Sequence, residues 1–220
     1  MHDSQQIMVS KEIYKEYLNA LLAGDRKTCL TVVQALLNSG IEIRLIYEDL
    51  FKQSMYEVGE LWEANKISVA VEHLATAITE NCLNLVYPYL FSETKIEKKA
   101  VVTCAPGEFH QIGARMVADF FELNSWNSYF LGSSTPTSEL KRYISDVKPD
   151  IVIISISIAF NIHNLNLLVK EISDSFPEIK IIIGGQAFRW GGEDAFNSYK
   201  NVEVITDLTQ LYEKHIKDRN

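Results

Sequence analysis

From residue 100 onward, short apolar runs alternate with longer stretches of helical period, and this alternation constrains the fold more than any other feature of the chain. The clearest run, Ile151-Val152-Ile153-Ile154, has four β-branched residues in succession and none that would face solvent. A strand of that kind is buried on both faces, which happens where helices cover both sides of a parallel sheet. The pattern predicts strands at 100–105, 126–131, 150–157, 179–183 and 202–206, and helices at 111–124, 137–146, 162–175, 192–199 and 207–217. Five β-α units of this size specify a five-stranded, doubly wound parallel sheet of Rossmann-like or flavodoxin-like architecture. Such sheets hold their ligands outside the carboxyl ends of the strands.

The first ninety residues read differently. Ile13, Tyr14, Tyr17, Leu18, Leu21 and Leu22 recur at spacings of three and four, and Gly24 closes the run. Asp25 is placed to cap a second helix ending at Gly40, a third helix spans about 43–64, and Ser68 is placed to cap a fourth that reaches about Leu90. Four helices with short connections predict an antiparallel or partly crossed bundle. The polar stretch from Phe91 to Lys99 has no periodic apolar face, so the expected division is a helical-bundle domain over 1–93 and an α/β domain over 99–220.

A formal net charge of −8, with the basic residues scattered, makes direct binding of nucleic acid a poor expectation. Cys29, Cys82 and Cys104 form no C-x-x-C pair and lie in apolar surroundings, as reduced thiols of a cytoplasmic protein do. Residues 1–6 are polar and no apolar run is long enough to cross a bilayer, so neither a secretory signal nor a membrane span is expected. The sequence contains no G-x-S-x-G, H-E-x-x-H or phosphate-cradling G-x-x-x-x-G-K, and no catalytic residue is assigned.

Chemistry concentrates after the first strand. Val101 to Gly113 reads as strand, turn and helix start, with His110 at the carboxyl end of the strand. Glu108 can accept the proton of one imidazole nitrogen and leave the other to coordinate a metal. Ser155-Ile156-Ser157 ends the third strand and Gly184-Gly185 follows the fourth, so all three features share one edge of the sheet. Forty-one residues (114–154) separate Gly113 from Ser155, and 26 (158–183) separate Ser157 from Gly184. Singly, each has a plain explanation in a surface loop, local backbone hydrogen bonding or a strand-to-loop turn. Together, Glu108-x-His110-x-x-Gly113, Ser155-x-Ser157 and Gly184-Gly185 resemble the D-x-H-x-x-G, S-x-L and G-G fingerprint of cobalamin-binding domains of the methionine synthase and mutase type. The resemblance implies a cobalamin cofactor with His110 as the lower ligand of cobalt and Glu108 as the partner that sets the tautomer of His110. It further implies that Gly113 lets helix and strand pack closely, that Ser155 bonds the buried nucleotide tail and that Gly184-Gly185 leave a slot for it. The sequence departs from the fingerprint twice, with Glu108 in place of aspartate and Ser157 in place of leucine.

The helical part carries a second pattern. Trp62 closes the third helix and Glu72-His73 open the fourth, nine residues (63–71) intervening. A tryptophan, nine residues and Glu-His ahead of a cobalamin-binding domain is similar to the light-sensing adenosylcobalamin regulators of the CarH and LitR type, and this likeness covers about residues 10–215. It implies that the bundle caps the upper face of adenosylcobalamin, with Trp62 against the adenosyl group and Glu72 and His73 close to it. Light-driven cobalt–carbon cleavage would then change the assembly of subunits, so a homo-oligomer is expected. Regulators that read DNA carry a MerR-type helix-turn-helix domain, whereas about nine polar residues precede the bundle here, so output is expected through a regulatory protein partner or self-association. Glu63 stands where the best-known branch has a histidine that becomes the upper ligand after illumination; His73 is a candidate substitute. The alternatives are a corrinoid carrier of a methyltransferase system, and a module of the same fold that holds another tetrapyrrole or senses cobalamin without light. Arg189-Trp190 follow Gly184-Gly185 closely enough to reach the cofactor tail or a neighbouring subunit, or lie on a surface loop, and Trp126 is expected in the core.

Overall fold

The computed structural model describes residues 9–92 and 94–217; the polar residues 1–6 and the boundary residue Glu93 lie outside the described residues. The chain divides into two units, Met1–Tyr89 and Leu90–Asn220.

The first unit is helical. Helix α1 (Lys11–Ala23) starts where the Ser10 hydroxyl accepts from the Ile13 N–H and stops at Gly24, whose φ of 72° only glycine adopts cheaply. Helix α2 (Arg26–Asn38) is capped by the Asp25 carboxylate, which takes the Thr28 N–H at 3.1 Å. The third predicted helix is α3 (Ile43–Leu45), a π-helical segment over Ile46–Lys52 and α4 (Gln53–Glu63), joined without a break. Ile46, Tyr47, Leu50 and Phe51 of the wide segment, at positions i, i+1, i+4 and i+5, are all buried on one face of it. Helix α5 (Val69–Val86) begins at the Ser68 cap and tightens into a 3₁₀ turn at Tyr87–Tyr89. Tyr17, Leu21, Leu50, Phe51, Cys82 and Leu83 are fully enclosed and form the core of the unit.

In the second unit β1 (Lys99–Cys104), α6 (Ile112–Leu123), β2 (Asn127–Gly132), α7 (Thr137–Val147), β3 (Ile151–Ser155), α8 (Ile162–Ser175), β4 (Lys180–Gly184), β5 (Val202–Val204) and α9 (Leu208–Leu211) follow in order. The sheet has five strands, all parallel, in the order β2-β1-β3-β4-β5. Every residue of β3 is buried, as the unbroken Ile151-Val152-Ile153-Ile154 run requires. The order reverses between β1 and β3, the switch point at which such sheets open a ligand crevice. Cys104 pairs with Ser155 and Ser155 with Gly184, so three strand ends stand level there. The helix expected at 192–199 is replaced by a 3₁₀ turn over Glu193–Phe196, because Gly191 and Gly192, at φ of 92° and 102°, break the chain just before it. The last predicted helix is four α-helical residues followed by a π-helical turn at Tyr212–Ile216. Trp126 is fully buried and stands edge-on to Phe121 at 5.0 Å between ring centres.

Candidate functional site

Beyond Cys104 the ladder continues for one more bond, from the Ala105 N–H to the Ser155 carbonyl at 2.9 Å. The chain then turns at Gly107, at φ of 80°, and the Glu108 N–H returns to the Ala105 carbonyl at 3.0 Å. That turn points the Glu108 side chain inward, where the residue is only 1% exposed. Its carboxylate is met by donors on both oxygens. Oε1 accepts from the His110 backbone N–H at 2.9 Å and contacts His110 Nδ1 at 2.5 Å. Oε2 accepts from the Ser157 N–H at 2.8 Å and the Ile158 N–H at 3.0 Å. Asn161 adds a bond from its side-chain amide to the Gly107 carbonyl at 3.3 Å. Glu108 is therefore the clamp between the loops that follow β1 and β3 as well as the partner of His110.

Burial pushes the Glu108 carboxyl up, but the hydrogen bonds from the His110 ring and from the backbone N–H groups of His110, Ile158 and Ser157 outweigh it and bring it down to about 2. The group is a carboxylate at neutral pH and can only accept. Nδ1 of His110 must then carry the proton, and coordination by this ring runs through Nε2. The imidazole itself is about half exposed, so Nδ1 is fixed while the ring still faces outward. Cys104 lies beneath, with its Sγ 3.9 Å from the His110 carbonyl; burial and the nearby Glu108 charge push its thiol up to about 12.

Ser155 is buried, and its hydroxyl makes no hydrogen bond among the described residues. A β-carbon added at Gly113 would stand 3.6 Å from that oxygen, an ordinary contact distance. Gly113 is thus not forced by crowding; it leaves the Ser155 hydroxyl uncovered. Ser157 differs from its expected part, because the element used is its backbone N–H, which is indifferent to the side chain. Gly184 and Gly185 need correction as well. A β-carbon at Gly184 would lie 2.0 Å from the Ile205 carbonyl oxygen, and one at Gly185 would lie 2.2 Å from that of Ile156. The space these glycines leave is filled by the chain's own backbone, so the fold requires them whatever ligand is present.

Trp62, Glu72 and His73 belong to the helical unit. Helix α4 ends with Asn65 at φ of 55° and a bond from the Lys66 N–H to the Leu61 carbonyl at 2.8 Å, the closure that lets a helix stop abruptly. Trp62 just before it is 41% exposed and so is not the core residue that its type suggests. Glu72 accepts from the Thr76 hydroxyl at 3.0 Å and lies 3.4 Å from Nε2 of His73, which is 75% exposed. Sequence reasoning missed Ile158 and Asn161 as parts of the site. Backbone donation leaves no trace in residue identity, and Asn161 reads simply as the start of α8.

These residues suit a corrinoid: a half-exposed imidazole held through Nδ1 by a buried carboxylate, and an unpartnered hydroxyl beside a glycine at a sheet switch point. Family models described as B12 binding domains match residues 13–87 and 98–205. The chain belongs to the B12-binding family. Its ligand is accordingly cobalamin or a close corrinoid. Among B12-binding relatives, trimethylamine corrinoid protein 1 of Methanosarcina acetivorans is 24% identical over 207 residues, covering 91% of this chain and 96% of that protein. The HTH-type transcriptional repressor CarA of Myxococcus xanthus is 26% identical over 124 residues, covering 56% of this chain and 43% of the repressor. The chain thus spans less than half the length of CarA. In fold, the monomethylamine corrinoid protein of Methanosarcina barkeri superposes with a TM-score of 0.81 at 15% identity, covering 94% of this chain and 99% of that one. No helix among the described residues is long and apolar enough to cross a membrane.

Proposed function

We propose that this chain is a corrinoid carrier, a B12-binding protein that holds cobalamin and presents it to a partner methyltransferase. The supporting observation is that a corrinoid protein is matched over nearly the whole length of both chains, whereas the HTH-type transcriptional repressor CarA is matched over less than half of its own. This reverses the preference that the Trp62, Glu72 and His73 pattern gives. Bound corrinoid supplies a cobalt centre that accepts and donates a methyl group. The chain's own residues hold and orient it: His110 as lower ligand, Glu108 fixing the ring through Nδ1, and the Ser155 hydroxyl offered to the nucleotide tail. The supporting test is to load the protein with methylcobalamin in darkness. Binding with loss of the cofactor's own benzimidazole from cobalt, abolished in His110→Ala, is the expected result; retention of benzimidazole ligation in the wild type would overturn the assignment of His110.

A second reading, an adenosylcobalamin light sensor, is favoured by one specific observation: Trp62 and His73 stand exposed rather than in the core. On that reading Trp62, Glu72 and His73 serve the adenosyl group, and self-association or a regulatory partner conveys the signal. Dark-loaded adenosylcobalamin whose absorption is unchanged by green light would eliminate it.

A further inference from the structure

The sheet has two outer strands, β2 and β5, and the chain treats them differently. β5 is three residues long and carries Glu203, which is bonded to Lys214 at 2.8 Å and to Lys180 and His215 at 3.0 Å. A short strand with a charge cluster is how folded proteins keep an edge from pairing with another chain. β2 is six residues long, Asn127-Ser128-Tyr129-Phe130-Leu131-Gly132, with no charged residue and no proline. Asn127 is joined to β1 by its N–H, 2.8 Å from the Lys98 carbonyl. Successive residues of an outer parallel strand turn their backbone groups alternately toward the sheet and away from it, so Ser128 and Phe130 face outward. The Ser128 N–H accordingly leaves the sheet and reaches Oε1 of Glu122 at 2.9 Å. Phe130 has no such cover: its outward N–H and carbonyl meet no partner among the described residues, and its side chain is exposed. On the opposite face of the strand, Tyr129 is half-buried and stands edge-on to Tyr143 of α7, 6.0 Å between ring centres.

We propose that β2 pairs with β2 of a second copy of the chain, antiparallel about a two-fold axis through Phe130. The N–H of each Phe130 then donates to the carbonyl of the other, and the two rings lie opposite one another on one face as a cross-strand aromatic pair. The polar groups on either side select this register. The next pair out sets Ser128 against Gly132 of the other copy, and neither the Ser128 N–H nor the Gly132 carbonyl is left wanting, because Glu122 holds the first and the Thr103 hydroxyl the second at 3.1 Å. An axis through Tyr129 would instead set the Phe130 carbonyl against the Ser128 N–H, which is already taken. Charge selects the occupant. Each copy carries −8, so two copies meet at least cost where neither presents charge. Along this edge the nearest carboxylate, Glu122, is paired with Lys95, and the antiparallel alignment brings Asn127 and Ser128 beside Gly132, Ser133 and Ser134, all neutral. The pairing uses neither a corrinoid nor light and so is independent of the carrier and sensor readings.

The test is sedimentation equilibrium of the cofactor-free full chain over about 1 to 100 μM. The wild type should approach twice the 25.1 kDa of one chain as concentration rises, with hydrogen exchange at the Phe130 amide slowing in step. Phe130→Lys and Phe130→Glu each set two like charges against one another on the axis. Each variant alone should melt like the wild type at the lowest concentration and dissociate at least about tenfold more readily, and an equimolar mixture of the two should associate again, as opposite charges directly across a strand pair do. If a charged variant melts lower than the wild type, Phe130→Thr, which keeps a strand former and removes the ring, decides by the same tenfold criterion. A wild type that stays at 25.1 kDa throughout, a dimer that the substitutions leave unchanged, or a mixture no more associated than its two components would each overturn the proposal.

Discussion

Replacing Glu108 by glutamine tests the clamp directly. The carboxylate accepts from four donors, the His110 ring, the His110 N–H, the Ser157 N–H and the Ile158 N–H. An amide has one oxygen. Turned one way, it serves the two N–H groups of the β3 loop and sets its NH₂ against His110; turned the other, it serves His110 and opposes Ser157 and Ile158. A carboxyl held at about 2 in the folded chain instead of its ordinary 4.5 contributes roughly 3 kcal/mol of stability at neutral pH. Because the folded value is the lower one, that contribution is complete above about 4.5 and is lost as pH falls toward 2. Urea unfolding of the cofactor-free protein, followed by tryptophan fluorescence with Trp126 reporting from the α/β core, should show Glu108→Gln lowering the midpoint by about 1–2 M at pH 7, for a urea dependence of about 2 kcal/mol/M. The gap between variant and wild type should close as pH is lowered from 4.5 toward 2. A loss below about 0.5 kcal/mol at pH 7, or a gap that stays constant through the acid range, would refute the assignment of the clamp to an ionised Glu108.

His110→Ala should leave the melting temperature nearly unchanged, since a half-exposed side chain contributes little packing, yet remove histidine ligation from the absorption spectrum of bound cobalamin. Gly184→Ala should destabilise the α/β unit by about 1–3 kcal/mol or more in thermal melting, because its β-carbon would stand 2.0 Å from the Ile205 carbonyl. Gly113→Ala should melt like the wild type but bind cobalamin more weakly in calorimetry, its methyl covering the Ser155 hydroxyl at 3.6 Å. Glu203 takes bonds from Lys214 at 2.8 Å and from Lys180 and His215 at 3.0 Å; burial opposes its ionisation, but these partners bring it down to about 2. Its contribution is therefore lost between about 4.5 and 2, and Glu203→Gln should melt lower than wild type at pH 6 with the difference shrinking below pH 4.

The sequence by itself determined the five strands, their parallel arrangement and the two helical caps at Asp25 and Ser68. Unbroken β-branched runs and capping residues act through neighbours a few positions away. It also located His110, because an imidazole two residues from a carboxylate at a strand end is a local arrangement. Only the tertiary structure decided what Gly184 and Gly185 are for: the carbonyls that exclude a β-carbon belong to Ile205 and Ile156, one on another strand's exit and one on the neighbouring loop. It alone gave Ser157 and Ile158 their part, since a backbone N–H carries no signature in residue type. The π-helical segment over Ile46–Lys52 was likewise outside the reach of periodicity, which has no reason to expect a wide turn until the packing of Tyr47, Leu50 and Phe51 rewards it. Pattern fixes which residues must be hidden, and contact between distant segments fixes which polar groups meet once they are.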